Sequence, residues 1–186
     1  MNLPVAARVI PLKPLDASAY ARFGSVLEAG PLERTSEANQ GTARRTNDLA
    51  DLTRSRPDAR WNVCSFRCAP RDVRAFTIEL LEKHPCSTQM FIPMNASRYL
   101  VVVAEAASDR DAPDPKTIRA FLASGRQGIT YHPGVWHHPL LAVDHETDFV
   151  CIVSEDGTPD DCVVVHLDTE HRCVVSVAER RNNQQE

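Results

Sequence analysis

Three of the chain's seven histidines fall in one short stretch, residues 128–141 (GITYHPGVWHHPLL), where His132, His137 and His138 flank a Pro133-Gly134 turn between apolar segments. A turn that projects imidazoles from rigid strands suits them as metal ligands or as a general base, because neutral imidazole serves either purpose near pH 7. His137 and His138 are neighbours, so in a regular strand they face opposite sides and only one turns inward. A second group lies upstream in Glu82-Lys83-His84-Pro85-Cys86-Ser87-Thr88-Gln89. If a strand beginning at Phe76 continues to His84, its period of two places Glu82 and His84 on the face of Phe76, Ile78 and Leu80. A carboxylate and an imidazole then enter the interior together, and burial demands a metal, a substrate or a hydrogen-bonded network to satisfy them. Pro85 lets the chain bend, after which Gln89 offers an amide oxygen from the next strand. Arg67 is a candidate clamp for a substrate carboxylate, a reading that competes with a surface ion pair.

The elements that must position these groups are mostly strands. Residues 62–68 alternate, with Cys64, Phe66 and Cys68 on one face and Val63, Ser65 and Arg67 on the other. Residues 76–81, 88–92, 99–104, 149–153 and 162–167 are similarly rich in branched or aromatic side chains. Helix signals are sparse: Asp16 can cap a short helix over residues 17–23, with Gly24 ending it in the left-handed conformation. Many strands and few helices predict a mainly β fold closed as a barrel, which removes exposed edges. A length of 186 residues with 42% hydrophobic composition fits one domain across the chain. Residues 28–59, polar and irregular, read as a substrate-covering loop, and the terminal residues 178–186 as a disordered tail.

Composition excludes several classes. A net charge of -4 with no long basic run argues against nucleic acid and anionic lipid as partners. No apolar stretch approaches the roughly 20 residues that span a bilayer, and Pro4, Pro11 and Pro14 interrupt the apolar N-terminal segment that a secretory signal needs. A soluble, cytoplasmic protein is expected. Of six cysteines, Cys64, Cys68, Cys151, Cys162 and Cys173 lie in apolar or strand-like segments, and none forms a CxxC pair, which favours buried reduced thiols over disulfides.

Taken together, Glu82-x-His84, Gln89 and Gly134-x-x-His137 resemble a degenerate two-motif cupin site, with Glu82 standing where cupins usually carry histidine. That resemblance implies His84, Gln89 and His137 as ligands of a divalent metal such as Ni²⁺, manganese, iron or zinc, with an open coordination position. It implies no nucleotide or flavin. Residues 81–94 (LEKHPCSTQMFIPM), 99–104 (YLVVVA), 120–143 (AFLASGRQGITYHPGVWHHPLLAV) and 147–153 (TDFVCIV), with PLDASAYARFGSVLE near the start, resemble the ureidoglycolate lyase family over residues 8–165.

This resemblance implies a cupin-like β-barrel, usually a homodimer, that cleaves (S)-ureidoglycolate to glyoxylate and urea in allantoin breakdown. His137, Glu82 and His84 become the candidate catalytic groups, with Arg67, Gln89, His132 and His138 as substrate contacts. Without a metal, His137 is the candidate base and Glu82 the group that holds its tautomer. Two segments depart from the family pattern: Arg45-Thr46-Asn47-Asp48-Leu49 replaces an Arg-Tyr-His-Asp-Leu-like run, and Val153-Ser154-Glu155 replaces an Asp-Arg pair. Other expectations compatible with the pattern are a cupin-type metalloenzyme acting on another small hydroxy or keto acid, and a non-catalytic small-molecule-binding cupin.

Overall fold

The Arg98–Ala104 strand is apolar at every position after Arg98, and both of its faces are covered. A strand with that pattern belongs in the middle of a sheet buried on two sides, and in the computed structural model, which describes residues 8–108 and 112–176, it lies near the centre of the larger of two main sheets. That sheet has nine strands, in the order Val163–His166, Leu80–Lys83, Trp136–His137, Arg98–Ala104, Arg119–Ser124, Arg8–Pro14, Cys173–Ser176 and Ala75–Ile78, with Leu141–Ala142 as a further partner of Arg98–Ala104. The smaller sheet runs Val26–Leu27, Gly128–Tyr131, Gln89–Pro93, Thr147–Glu155 and Arg60–Cys68. A two-stranded hairpin, Ser36–Ala38 with Ala43–Arg45, stands apart from both.

The two sheets enclose one core between them. Tyr99, Val101, Val103 and Phe121 from the larger sheet pack with Phe91, Ile129, Tyr131, Phe149 and Val153 from the smaller. The alternate residues Leu100, Val102 and Ala104 join a second core with Ile78, Leu81, Trp136 and Val175 on the other face of the larger sheet. This second core exists because the sheet curls back on itself. Its strands Ala75–Ile78 and Leu80–Lys83 sit far apart in the strand order yet are separated in sequence by Glu79 alone. The result is the mainly β, cupin-like half-barrel with few helical turns that the sequence predicts.

Several details differ from the sequence reading. The expected helix shortens to Ala17–Tyr20, with Asp16 accepting a 2.9 Å hydrogen bond from the Ala19 amide as its cap. Gly24 is not left-handed; a Cβ there would lie 1.7 Å from the Thr130 carbonyl oxygen, so glycine permits close approach of two chain segments. The strand from Phe76 does not keep its period through His84. It breaks at Glu79, whose carbonyl accepts from the Leu167 amide, and beyond the break Leu81 rather than Leu80 joins Ile78 in the second core. Glu82 and His84 therefore sit on the face opposite Ile78. All six cysteines are free, but Cys162 is exposed rather than buried, because it directly follows the surface turn Pro159–Asp161. The expected tail at residues 178–186 lies outside the described residues.

Candidate functional site

Glu82, His84 and His137 come together where the sheet curls. The Leu80–Lys83 strand pairs with Trp136–His137 so that Glu82 stands directly across from His137. His84 follows at the end of that strand, and its carbonyl accepts from the Gly134 amide at 2.9 Å, tying it to the turn before His137. That turn needs Gly134, whose φ of 78° is a conformation L side chains rarely adopt. Trp136 points into the second core while His137 points the other way, where its ring stacks on Tyr131 at 3.8 Å between centroids.

Both imidazoles have their tautomers set by backbone carbonyls. His137 donates from Nδ1 to the Val135 carbonyl at 2.9 Å, and His84 donates from Nδ1 to the Asp161 carbonyl at 2.7 Å. In the neutral ring this leaves each Nε2 as a bare lone pair. Both Nε2 atoms are buried without a hydrogen-bond partner. One ligand atom from each of Glu82, His84 and His137 lies within 4.8 Å of the others, and His137 Nε2 is 3.6 Å from a Glu82 oxygen. Three acceptors converge with no donor among them, an arrangement that requires a cation, either a metal ion or a proton.

The electrostatics agree with that requirement. Burial works to raise the Glu82 carboxyl, but hydrogen bonding and charge from His137 outweigh it and hold the group below its ordinary value, so it stays ionised near neutrality. Burial, reinforced by His137, pushes the His84 imidazole down and keeps it neutral. A divalent ion fits this set. Two neutral imidazoles with anchored Nδ1–H groups and one ionised carboxylate form the mixed nitrogen and oxygen shell of an open catalytic metal site.

The other predicted residues occupy different places. Gln89 is buried in the inter-sheet layer, paired with Tyr131 across the sheet; it packs by the Cys151 thiol, and its amide oxygen has no hydrogen-bond partner. The printed ligand cluster contains Glu82 with the two histidines. Glu82 faces Nε2 of His137, so the tautomer of that ring is held by Val135 and not by Glu82. His138 faces the opposite side from His137, edge-on to Phe76 at 5.3 Å, with Nδ1 donating to the Pro139 carbonyl. His132 is exposed and donates to the Ala21 carbonyl at 3.4 Å, lining a cleft of about 630 Å³ with Arg22, Lys83 and Glu105. Arg67 is a surface residue in a two-point ion pair with Asp148, at 2.8 and 3.0 Å, on the outward face that strand alternation assigns it.

Sequence reasoning missed Tyr131. Its hydroxyl is buried without a partner beside His137, and burial pushes the phenol well above its usual range, so it remains a proton donor. The available signal was its alternation with His132, which placed it inward one residue before the turn. The loop expected to cover the substrate instead contributes Arg45 to Ala50 to a cleft of about 640 Å³ with Met90, Ile92 and Arg126. Met90 and Ile92 alternate with the inward Phe91, so this cleft lies on the outer face of the smaller sheet, with the sheet between it and the triad.

Comparison with known proteins is consistent along nearly the whole chain. Residues 7–174 match the family model described as ureidoglycolate lyase. A ureidoglycolate lyase from Pseudomonas syringae pv. tomato is 34% identical over 168 residues, covering 90% of this chain and 95% of that one. One from Azotobacter vinelandii is 37% identical over 157 residues, covering 83% and 90%. Among solved structures, a dTDP sugar isomerase from Desulfovibrio desulfuricans G20 aligns with a TM-score of 0.41 at 12% identity, covering 68% of this chain and 79% of that one. The family match and the level of identity to full-length relatives place this chain in the ureidoglycolate lyase family.

Proposed function

We propose that this protein cleaves ureidoglycolate to glyoxylate and urea, with Glu82, His84 and His137 at the reacting centre. The observation that carries the assignment of the site is the convergence of two tautomer-locked Nε2 atoms and one carboxylate in a buried position. Ureidoglycolate is a carbinolamide. Loss of its 2-hydroxyl proton lets the oxygen electrons form the aldehyde carbonyl as the carbon–nitrogen bond breaks, and the departing urea nitrogen takes up one proton. No water is consumed, so the reaction is an elimination.

A divalent ion such as Ni²⁺ held by Glu82, His84 and His137 would supply Lewis-acid polarisation of the hydroxyl. The protein's own groups divide the remaining work. With Nδ1 of each ring committed to a carbonyl, only Nε2 can meet the substrate or exchange its proton. The Glu82 carboxylate, 3.6 Å from His137 Nε2, stabilises positive charge there. The Tyr131 hydroxyl and the Gln89 amide oxygen are the nearby buried polar groups left free to orient the substrate. The two other functional readings, a different cupin metalloenzyme and a non-catalytic binder, have no separate observation in their favour.

A homodimer is the assembly inferred. The Arg60–Cys68 strand ends the smaller sheet with one edge unpaired, and Val63 and Met94 beside it are 68% and 65% exposed. A cytoplasmic setting is inferred from the six free thiols. Among the described residues no helix is long and apolar enough to cross a membrane.

The test is release of glyoxylate, urea and ammonia from racemic ureidoglycolate by the purified protein, before and after chelator treatment. Equal glyoxylate and urea without ammonia is expected, with activity lost on chelation and regained with added Ni²⁺ or Mn²⁺. No glyoxylate under either condition would remove the lyase reading, and indifference to chelation would transfer the hydroxyl proton to His137 alone.

A further inference from the structure

We infer that Arg56 and Asp161 are positioning residues for His84, acting through a backbone carbonyl. Arg56 lies in the segment that runs beside residues 86–88, where Ser55 donates to the Cys86 carbonyl at 2.8 Å and Thr88 donates to the Thr53 carbonyl at 2.9 Å. From there its guanidinium reaches across to the 156–161 loop. One nitrogen donates to Asp156 at 2.8 Å and to the Thr158 hydroxyl at 2.7 Å, and the other makes a close ion pair with Asp161. The Asp161 carboxylate also accepts from the backbone amides of Asp156 and Gly157, so it is the centre that shapes the loop. Gly157 turns that loop with a φ of 82°.

The same residue's backbone carbonyl receives the Nδ1–H of His84. Its side chain therefore fixes the loop, and its main chain fixes the ring. The Arg56 and Asp161 side chains are 22% and 14% exposed, which places the pair where screening by water is weak. A planar guanidinium that holds two parts of the loop at once has a geometry that a lysine ammonium cannot reproduce. If the loop moves, His84 loses its acceptor and its Nε2 is no longer held as the lone pair facing Glu82 and His137. The device links the irregular segment after the hairpin to the reacting centre without touching substrate.

The inference rests on His84 belonging to the site, which glyoxylate release by the unmodified protein tests separately. The experiment is ¹⁵N imidazole spectroscopy of the metal-free protein at a pH where His84 is neutral, paired with titration of Ni²⁺ alone. In the unmodified protein His84 is expected as the Nδ1–H tautomer. In Arg56→Met it is expected to become a mixture of tautomers while His137, held by Val135, keeps its own. Affinity for Ni²⁺ falls about tenfold or more, the range seen when an outer-shell partner of a metal-binding histidine is lost. Arg56→Lys recovers part of both effects. If Arg56→Met fails to fold, Asp161→Asn provides the same comparison. The inference is overturned if His84 in the unmodified protein is not the Nδ1–H tautomer, or if folded variants keep both its tautomer and the Ni²⁺ affinity.

Discussion

The inner and outer faces of the smaller sheet carry opposite kinds of site. Along Gln89–Pro93, Gln89 and Phe91 point inward toward the layer that holds Tyr131 and His137, whereas Met90 and Ile92 floor the outer cleft. The outer cleft is roomy, at about 640 Å³, and its guanidiniums at Arg45 and Arg126 are exposed. The inner group has little space around it but has its proton positions assigned by the backbone. Volume alone would select the outer face. The cost of burying three acceptors without a donor selects the inner one, because such an arrangement persists only if a cation or a reacting proton completes it. The departure from the family pattern at Arg45 to Leu49 falls on the outer face, so it leaves the inner group untouched.

The largest expected effect comes from breaking the inner group. His137→Ala should reduce glyoxylate release by at least about a hundredfold, the scale of losing an acid–base group or ligand. Circular dichroism should remain that of the folded protein, because the ring fills a site stacked on one side by Tyr131 and does not belong to either apolar core. Near-normal turnover in a folded variant would take His137 out of the mechanism and leave the inner face with only a structural role.

The outer cleft supplies the matching control. Changing Arg45 and Arg126 together to serine should alter kcat/KM by less than about twofold, as surface substitutions away from reacting groups generally do. Steady-state assays on ureidoglycolate decide the matter. A loss above about tenfold, confined to KM, would mean that substrate is first captured on the outer face, and the contrast between the two faces would have to be redrawn.

Much of this arrangement is legible in the sequence. The alternation in residues 62–68 and 99–104 and the apolar runs at 149–153 and 162–167 correspond to strands because side chains on a pleated sheet report their own burial. The opposed directions of His137 and His138 follow from the same period. What periodicity cannot carry is an irregularity: the break at Glu79 reverses the face of Glu82 and His84 relative to Ile78, and it arises from pairing with a distant segment at Leu167. The Arg8–Pro14 strand is equally opaque. Pro11 and Pro14 read as breakers, yet the strand forms by parallel pairing to Cys173–Ser176 and then to Arg119–Ser124, contacts no local pattern contains. Arg67 is ambiguous for a different reason, since a residue on a half-buried strand declares its face only relative to its neighbours.

The smallest effect concerns protons on the two histidines packed on opposite sides of the curled sheet. Burial, the dominant cause for each, lowers the pKa of His84 and His138 in the folded protein below the value near 6.5 expected of a free imidazole. A depressed histidine pKa means that the unfolded chain binds a proton before the folded one does. The stability this represents is complete above about pH 6.5 and is lost as pH falls toward the folded values. Glu82, also depressed, acts in the same direction but only below the ordinary carboxylate range, so it does not contribute between about pH 7.5 and 5.5. Calorimetry of the metal-free protein should therefore show Tm falling by a few degrees across that interval. His138→Gln removes one of the two titrating rings without touching the inner group, and its Tm should fall less steeply. Parallel curves for the two proteins would mean that His138 is as readily protonated when folded as when unfolded, and that the second core around Phe76 does not exclude charge as its packing implies.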